Sequence, residues 1–176
     1  MVAALGAALG SMVGALTVGK PKYADVEPEM LSFIERAEAL RLKLLACVDE
    51  DASAFAPLAN AYAIPKDDPK RSEVMEQCLR DAAAVPFSIL KLCCEGIDLH
   101  REFAAKGSRL AISDAATGVV FCWSAMYGAA VNVKVNTKLM QDTEYAESVN
   151  REVDRLMEQY WPIAERVYED VYRRFC

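Results

Sequence analysis

The chain has 176 residues, 26 acidic against 20 basic side chains, a formal charge of -6, six cysteines and one histidine. That length suits a single domain over residues 1–176, able to bury roughly 70% of its unfolded surface. The acidic balance excludes a general nucleic-acid binder, and one histidine excludes two-histidine metal sites such as H-E-x-x-H.

Helical periodicity runs from end to end, with almost no strand signal. The first stretch, MVAALGAALGSMVGALTVG, is apolar but lacks the basic lead of a signal peptide. It is also slightly short for a membrane span of about 20 residues, and the rest of the chain is too polar for a membrane protein. A helix is predicted from Val2 to Val18, stopped at Gly19. Gly6, Gly10 and Gly14 strip one of its faces, so that another helix can approach closely or a second copy can dock. Lys20, Lys22 and Tyr23 follow. Lysines there complement the helix dipole, or form a rim for a carboxylate ligand.

The second helix is predicted from Asp25 to Tyr62, with Pro28 in its first turn and a kink at Pro57. Its inward stripe reads Leu44, Val48, Asp51, Phe55, Leu58. A carboxylate on such a stripe is expected to be partly desolvated, with a raised pKa suited to proton transfer near neutral pH; the alternative is a local ion pair or cap. The segment IPKDDPKR, residues 64–71, is the clearest loop.

The third helix is predicted from Ser72 to Lys106, bent or split at Pro86 and stopped by Gly107. His100, within the charged run DLHRE, is expected to be exposed and is assigned no chemistry. A Ser-His-Asp triad would have to use it, and no serine sits in G-x-S-x-G. Ser113 is predicted to cap a fourth helix, Asp114 to Leu139. Its small-residue face (Gly118, Ala125, Gly128, Ala129) continues into Asn132 and Asn136. Those amides need partners, on a neighbouring helix or on a polar heterocycle. Trp123 and Met126 read as core.

A fifth helix starts at Asp142 or Thr143, with Tyr145, Val149, Val153, Leu156, Tyr160, Ile163, Val167 and Val171 at three-and-four spacing and a kink at Pro162. The whole reads as an all-α, up-and-down bundle of about five long helices, kinked at prolines. Cys47, Cys78, Cys93, Cys94, Cys122 and Cys176 form no C-x-x-C pair. They are expected to be buried hydrophobes in a reducing cytoplasm rather than a zinc site or a disulfide framework.

Four stretches carry a resemblance: VAALGAALGSMVGALTVGKPKYADVEPEM, LLACVDEDASAFAPLANAYAIPK, AAAVPFSILKLC, and LAISDAATGVV with GAAVNVKVNTKLMQD. They resemble the cyclodeaminase/cyclohydrolase family, which comprises the C-terminal domain of formimidoyltransferase-cyclodeaminase and stand-alone bacterial methenyltetrahydrofolate cyclohydrolases. They run from Val2 to Asp142 in order and at the family's spacing, V-D-E-D-A-x-A-F and N-V-x-V-N being the most specific. The resemblance implies an all-helical domain, a homodimer or higher oligomer, and folate bound between helices. It also implies a cytoplasmic enzyme of folate one-carbon metabolism. The reaction would be either formimidoyltetrahydrofolate cyclodeamination, which releases ammonia, or hydrolysis of methenyltetrahydrofolate to formyltetrahydrofolate.

By the same matching, the family's catalytic aspartate in V-D-x-D-A-x-A-F falls on Asp51, which the stripe marks independently. Lys20, Asp114, Asn132 and Asn136 fall in segments the family uses around its folate pocket. Asn132 and Asn136 are expected to hold the pterin or bridging region, and Lys20 with Lys22 to attract a glutamate tail. No metal and no cofactor beyond the tetrahydrofolate substrate, polyglutamylated or not, is expected. One departure stands out: the family's G-G-G-S lead before V-A-A is absent here, where Met1 directly precedes Val2. The alternative expectation is therefore a catalytically impaired folate-binding or structural helical homo-oligomer.

Overall fold

The computed structural model describes all 176 residues as five α-helices and two short 3-10 turns, with no strand. Helix α1 (Val2–Ala15) is followed by Gly19 at φ +72°, the left-handed conformation that lets the chain turn back. A 3-10 turn, Pro21–Val26, leads into α2 (Glu27–Ala61). There Glu27 Oε2 accepts from the Gly19 amide at 2.8 Å and fixes the corner. Helix α3 (Arg71–Lys106) follows a loop in which the Arg71 guanidinium donates to the Ile64 carbonyl. Helix α5 (Thr143–Tyr172) is capped by Asp142, whose carboxylate accepts from the Tyr145 amide at 3.0 Å.

Helix α4 (Ile112–Thr137) starts earlier than predicted, after a second 3-10 turn, Arg109–Ala111, so Ser113 lies inside the helix and does not cap it. The Ser108 amide donates to the buried Thr17 hydroxyl at 2.8 Å, and this tie to the end of α1 sets where α4 begins. Helices α2, α3 and α5 run through Pro57, Pro86 and Pro162 without interruption, so of the bend or split expected at Pro86 the split does not occur. Pro86 is itself buried, and packing there offsets the missing N–H.

Helix α3 is central, packed against α2, α4 and α5, while α1 lies between α2 and α4. Leu40, Leu90, Ile97, Phe103, Val119, Met126 and Val133 form the fully buried centre. The segment Arg109–Thr137 is long and apolar enough to cross a membrane by length and composition; in the fold one face packs on α1, α3 and α5, while Leu110, Val131 and Val135 stay exposed. Five thiols are buried and only Cys176 is exposed.

The glycine face of α1 points inward, which corrects its reading as an interface between copies. A Cβ on Gly6 would meet Cys122 Sγ at 2.8 Å and the Gly118 carbonyl at 2.9 Å. The face left open instead carries Val2, Leu5, Met12 and Leu16, all exposed.

His100 also differs from expectation: it is 1% exposed, at the centre of the bundle. Its charged neighbours Arg101 and Glu102 point outward, whereas His100 shares the inward face with Ile97, Phe103 and Ala104. Nε2 bonds the Gly6 carbonyl at 3.0 Å, and Nδ1 has no partner. Burial pushes its pKa down to about 4. The folded chain thus keeps His100 neutral where the unfolded chain protonates it, so stability is complete above pH 6.5 and falls as pH drops towards 4. Urea unfolding should show a loss of about 2 kcal/mol between pH 8 and pH 5, largely above the carboxylate range. Since the chain has one histidine, His100→Gln should flatten that slope whatever its baseline stability.

Candidate functional site

The first turn of α1, the middle of α2, Pro86 and Ile89 of α3, and Ala125 to Asn132 of α4 enclose a cavity of about 400 Å³. Its opening comes from small residues on α4. Ala125 and Ala129 line it, and a Cβ on Gly128 would find no atom within 4 Å. Leu44, Cys47, Val48 and Ile89 supply apolar walls. Cys47 is buried, and burial raises its thiol pKa, so it stays protonated and is a wall rather than a nucleophile. Asp51 and Asn132 are the only polar side chains in the lining.

Asp51 is exposed, which corrects the expectation of a partly desolvated carboxylate. The stripe that carries it is not covered along its length: Val48 is 44% and Phe55 60% exposed, while Leu44 and Leu58 on either side are buried. Helix α2 spans 35 residues and α1 only 14. That is about 52 Å against about 21 Å, so α1 leaves much of α2 bare. Asp51 sits where cover ends, at the mouth of the cavity. Asn132 donates its amide N–H to the Gly128 carbonyl at 2.8 Å, which leaves its carbonyl oxygen available.

The other predicted positions lie apart within one protomer. Asn136 is half-buried and donates to the Ala82 carbonyl of α3 at 3.3 Å, an interhelical tie beside the cavity, and to the backbone carbonyl of Asn132 at 3.0 Å, which leaves the Asn132 side-chain oxygen free. Asp114 lies in the first turn of α4, where a carboxylate complements the helix dipole. It is 18 residues before Asn132 on the same helix, or about 27 Å away. Lys20 and Lys22 lie beyond the C-terminal end of α1, whereas the cavity lies at its N-terminal end.

Sequence reading placed Gly128 on the small-residue face that leads into Asn132, but did not join that face to Asp51. It read Pro86 only as a bend or split in α3 and missed Ile89. Chemically, an open carboxylate at the mouth of an apolar cavity can exchange protons with solvent and pass them to a ligand inside. An amide one helix away can orient a polar ring.

The sequence profile of the formiminotransferase-cyclodeaminase family matches residues 1–155. Methenyltetrahydrofolate cyclohydrolase of Methylorubrum extorquens is 38% identical over 172 residues, 96% of this chain and 83% of that protein. Formimidoyltransferase-cyclodeaminase of Rattus norvegicus is 32% identical over 162 residues, 90% of this chain but only 30% of the longer protein. Among solved structures, formiminotetrahydrofolate cyclodeaminase of Thermotoga maritima superposes with a TM-score of 0.82 at 27% identity, over 98% of this chain and 82% of that one.

Proposed function

The chain belongs to the formiminotransferase-cyclodeaminase family, and from that premise we propose that it acts on a tetrahydrofolate one-carbon adduct as a methenyltetrahydrofolate cyclohydrolase, with Asp51 carrying the proton. The observation that carries this reading is the pairing of Asp51 with Asn132 as the only polar side chains of an otherwise apolar cavity. Asp51 takes a proton from the water whose oxygen bonds to the methenyl carbon. One C–N bond of the resulting tetrahedral centre then breaks as Asp51 returns the proton to the departing ring nitrogen, and the remaining hydroxyl proton passes to solvent as the formyl C=O forms. Asn132 holds the pterin or the bridging region through its open carbonyl oxygen. General acid–base assistance of this kind is typically worth ~10²–10⁴-fold.

The stand-alone cyclohydrolase, matched over 83% of its length, favours hydrolysis. The fold match to a cyclodeaminase favours a second reading through the same carboxylate. In that case the amine nitrogen outside the ring attacks the formimidoyl carbon, and Asp51 takes the proton of that amine. The C–N bond to the other substituent breaks as the proton passes to the leaving ammonia. The absorbance of methenyltetrahydrofolate separates the two. Its loss above the spontaneous rate supports the cyclohydrolase, and its appearance from formimidoyltetrahydrofolate supports the cyclodeaminase. No change with either substrate sinks both and favours a folate-binding or structural protein.

The remaining roles belong to the same proposal. Lys20 and Lys22 attract the glutamate tail, and Asp114 and Asn136 support the pocket segments. The exposed stripe Val2, Leu5, Met12 and Leu16 is the surface on which a homodimer would pair, and five buried thiols suit a reducing cytoplasm. Filling the cavity tests the site without touching Asp51. Gly128→Leu should leave the protein as stable as before or better by up to ~1 kcal/mol, since glycine is a poor helix former. Folate binding, followed by ligand fluorescence quenching, should weaken at least ~10-fold as the leucine occupies the opening. Unchanged binding would place the substrate elsewhere.

A further inference from the structure

Beyond the C-terminal end of α1 lies a larger cavity of about 690 Å³, framed by the end of α3, both 3-10 turns and the residues after α5. Four cationic residues line it: Lys22, Lys106, Arg109 and Arg174. Lys106 is neutralised by Glu29 and Glu102, each at 3.0 Å. Lys22, Arg109 and Arg174 take part in none of the chain's ion pairs. Three unpaired cations around one concavity repel each other and focus positive potential there, against a chain of net charge -6.

The frame is held before any ligand arrives. The Arg109 amide donates to the Tyr23 hydroxyl at 3.1 Å, and the Ser108 amide to Thr17 Oγ1 at 2.8 Å, which joins both 3-10 turns to the end of α1. The Gly107 amide closes α3 on the Phe103 carbonyl at 2.8 Å. Backbone positions for Lys22 and Arg109 are thereby set, which lowers the ordering cost of binding. Tyr23, Ile112 and Phe175 give the cavity an apolar side.

We propose that this cavity is a second ligand site, taking a small polyanion with two or more closely spaced carboxylate or phosphate groups between Lys22, Arg109 and Arg174. The two arginines present planar forks suited to such oxygens, and the lysine adds a point charge. Ile112 lines this cavity and Asn132 the other, 20 residues apart on α4. That separation is about 30 Å, so within one protomer a ligand here is remote from Asp51. Two sources share the chemistry: the glutamate tail of a folate substrate, which would extend the role given to Lys22, and a phosphate-bearing small molecule.

Calorimetric titration of the full chain with tri-γ-glutamate and, separately, with tripolyphosphate tests the site. Saturable one-to-one binding of either probe is expected, weakening as salt is raised. Arg109→Ala and Arg174→Ala should each lower affinity ~10-fold or more, since hydrogen bonds to charged groups are the strong ones. Arg174→Glu should abolish binding, and Asp51→Asn should bind as wild type. Tri-γ-glutamate alone identifies a tail, and tripolyphosphate alone identifies a phosphate ligand. Binding of neither probe overturns the proposal, as does binding that survives both arginine substitutions with helix content intact. Anion binding and turnover fall on different residues in this experiment, so failure of this site is distinguishable from failure of the cyclohydrolase reading.

Discussion

Asp51→Asn should lower turnover at least ~10²-fold while leaving helix content and the unfolding midpoint close to wild type. The two halves of that expectation come from different features. Asp51 is exposed and makes no hydrogen bond or ion pair that the fold depends on, so a neutral isostere disturbs nothing. Asparagine keeps the shape and polarity of the cavity mouth but cannot accept and return a proton, so the loss should appear in kcat rather than KM. Neighbouring carboxylates supply the control. Asp49 and Glu50 lie on the same turn of α2 but do not line the cavity. Asp49→Asn and Glu50→Gln should therefore stay within about threefold of wild type, far below the general-base range. Near-wild-type turnover in Asp51→Asn would falsify the assignment, and an equal loss in all three variants would point to charge rather than to proton transfer.

Gly118→Ala should destabilise the protein by about 3 kcal/mol, the upper end for overpacking. A Cβ at Gly118 would fall within the His100 ring. The ring has no room to retreat: Nε2 is held by the Gly6 carbonyl, a Cβ on Gly10 would already come within 3.3 Å of Cε1, and Phe103 packs edge-on at 6.1 Å. For a chain of this size that loss is roughly a 10 °C drop in thermal midpoint, readable by circular dichroism. Gly128→Ala, on the same helix but with open space, should instead stabilise by up to ~1 kcal/mol. His100→Ala in the Gly118→Ala background should recover part of the loss, because the two sites share one contact. Similar effects at both glycines would mean that the His100 contact is not what limits the site.

How far these features were legible in the sequence depends on how local their causes are. Gly19, Pro28 and Asp142 act within a few residues, and the helices they bound lie within three residues of their predicted ends: α1 stops at Ala15 rather than Val18, and α2 starts at Glu27 rather than Asp25. Membership of the family was readable from ordered motifs over most of the chain. Burial was harder, because it depends on which helix covers which face. His100 looked exposed from its charged neighbours, yet those neighbours point elsewhere around the helix. Asp51 looked desolvated because the stripe rule assumes cover along the whole stripe, and here Val48 and Phe55 on either side of it stay exposed. The basic cavity was hidden for a related reason. Lys22, Arg109 and Arg174 are separated by most of the chain; the ties between Thr17 and Ser108 and between Tyr23 and Arg109 bring the first two together, and the packing of α5 on α3 and α4 brings Arg174.

Trp123 and Tyr127 of α4 cluster with Trp161 of α5, where the two helices pack. The chain has two tryptophans. Trp123 and Trp161 lie with ring centroids 6.0 Å apart, and Tyr127 is 5.4 Å from Trp161. All intrinsic indole emission therefore originates at the seam between those two helices. A fluorescence melt reports the parting of α5 from α4 and is blind to loosening of α1 from α2. If the bundle opens in one step, emission and circular dichroism trace the same curve. If α1 leaves first, the optical signal stays native while amides around Gly6 and Gly10 already exchange.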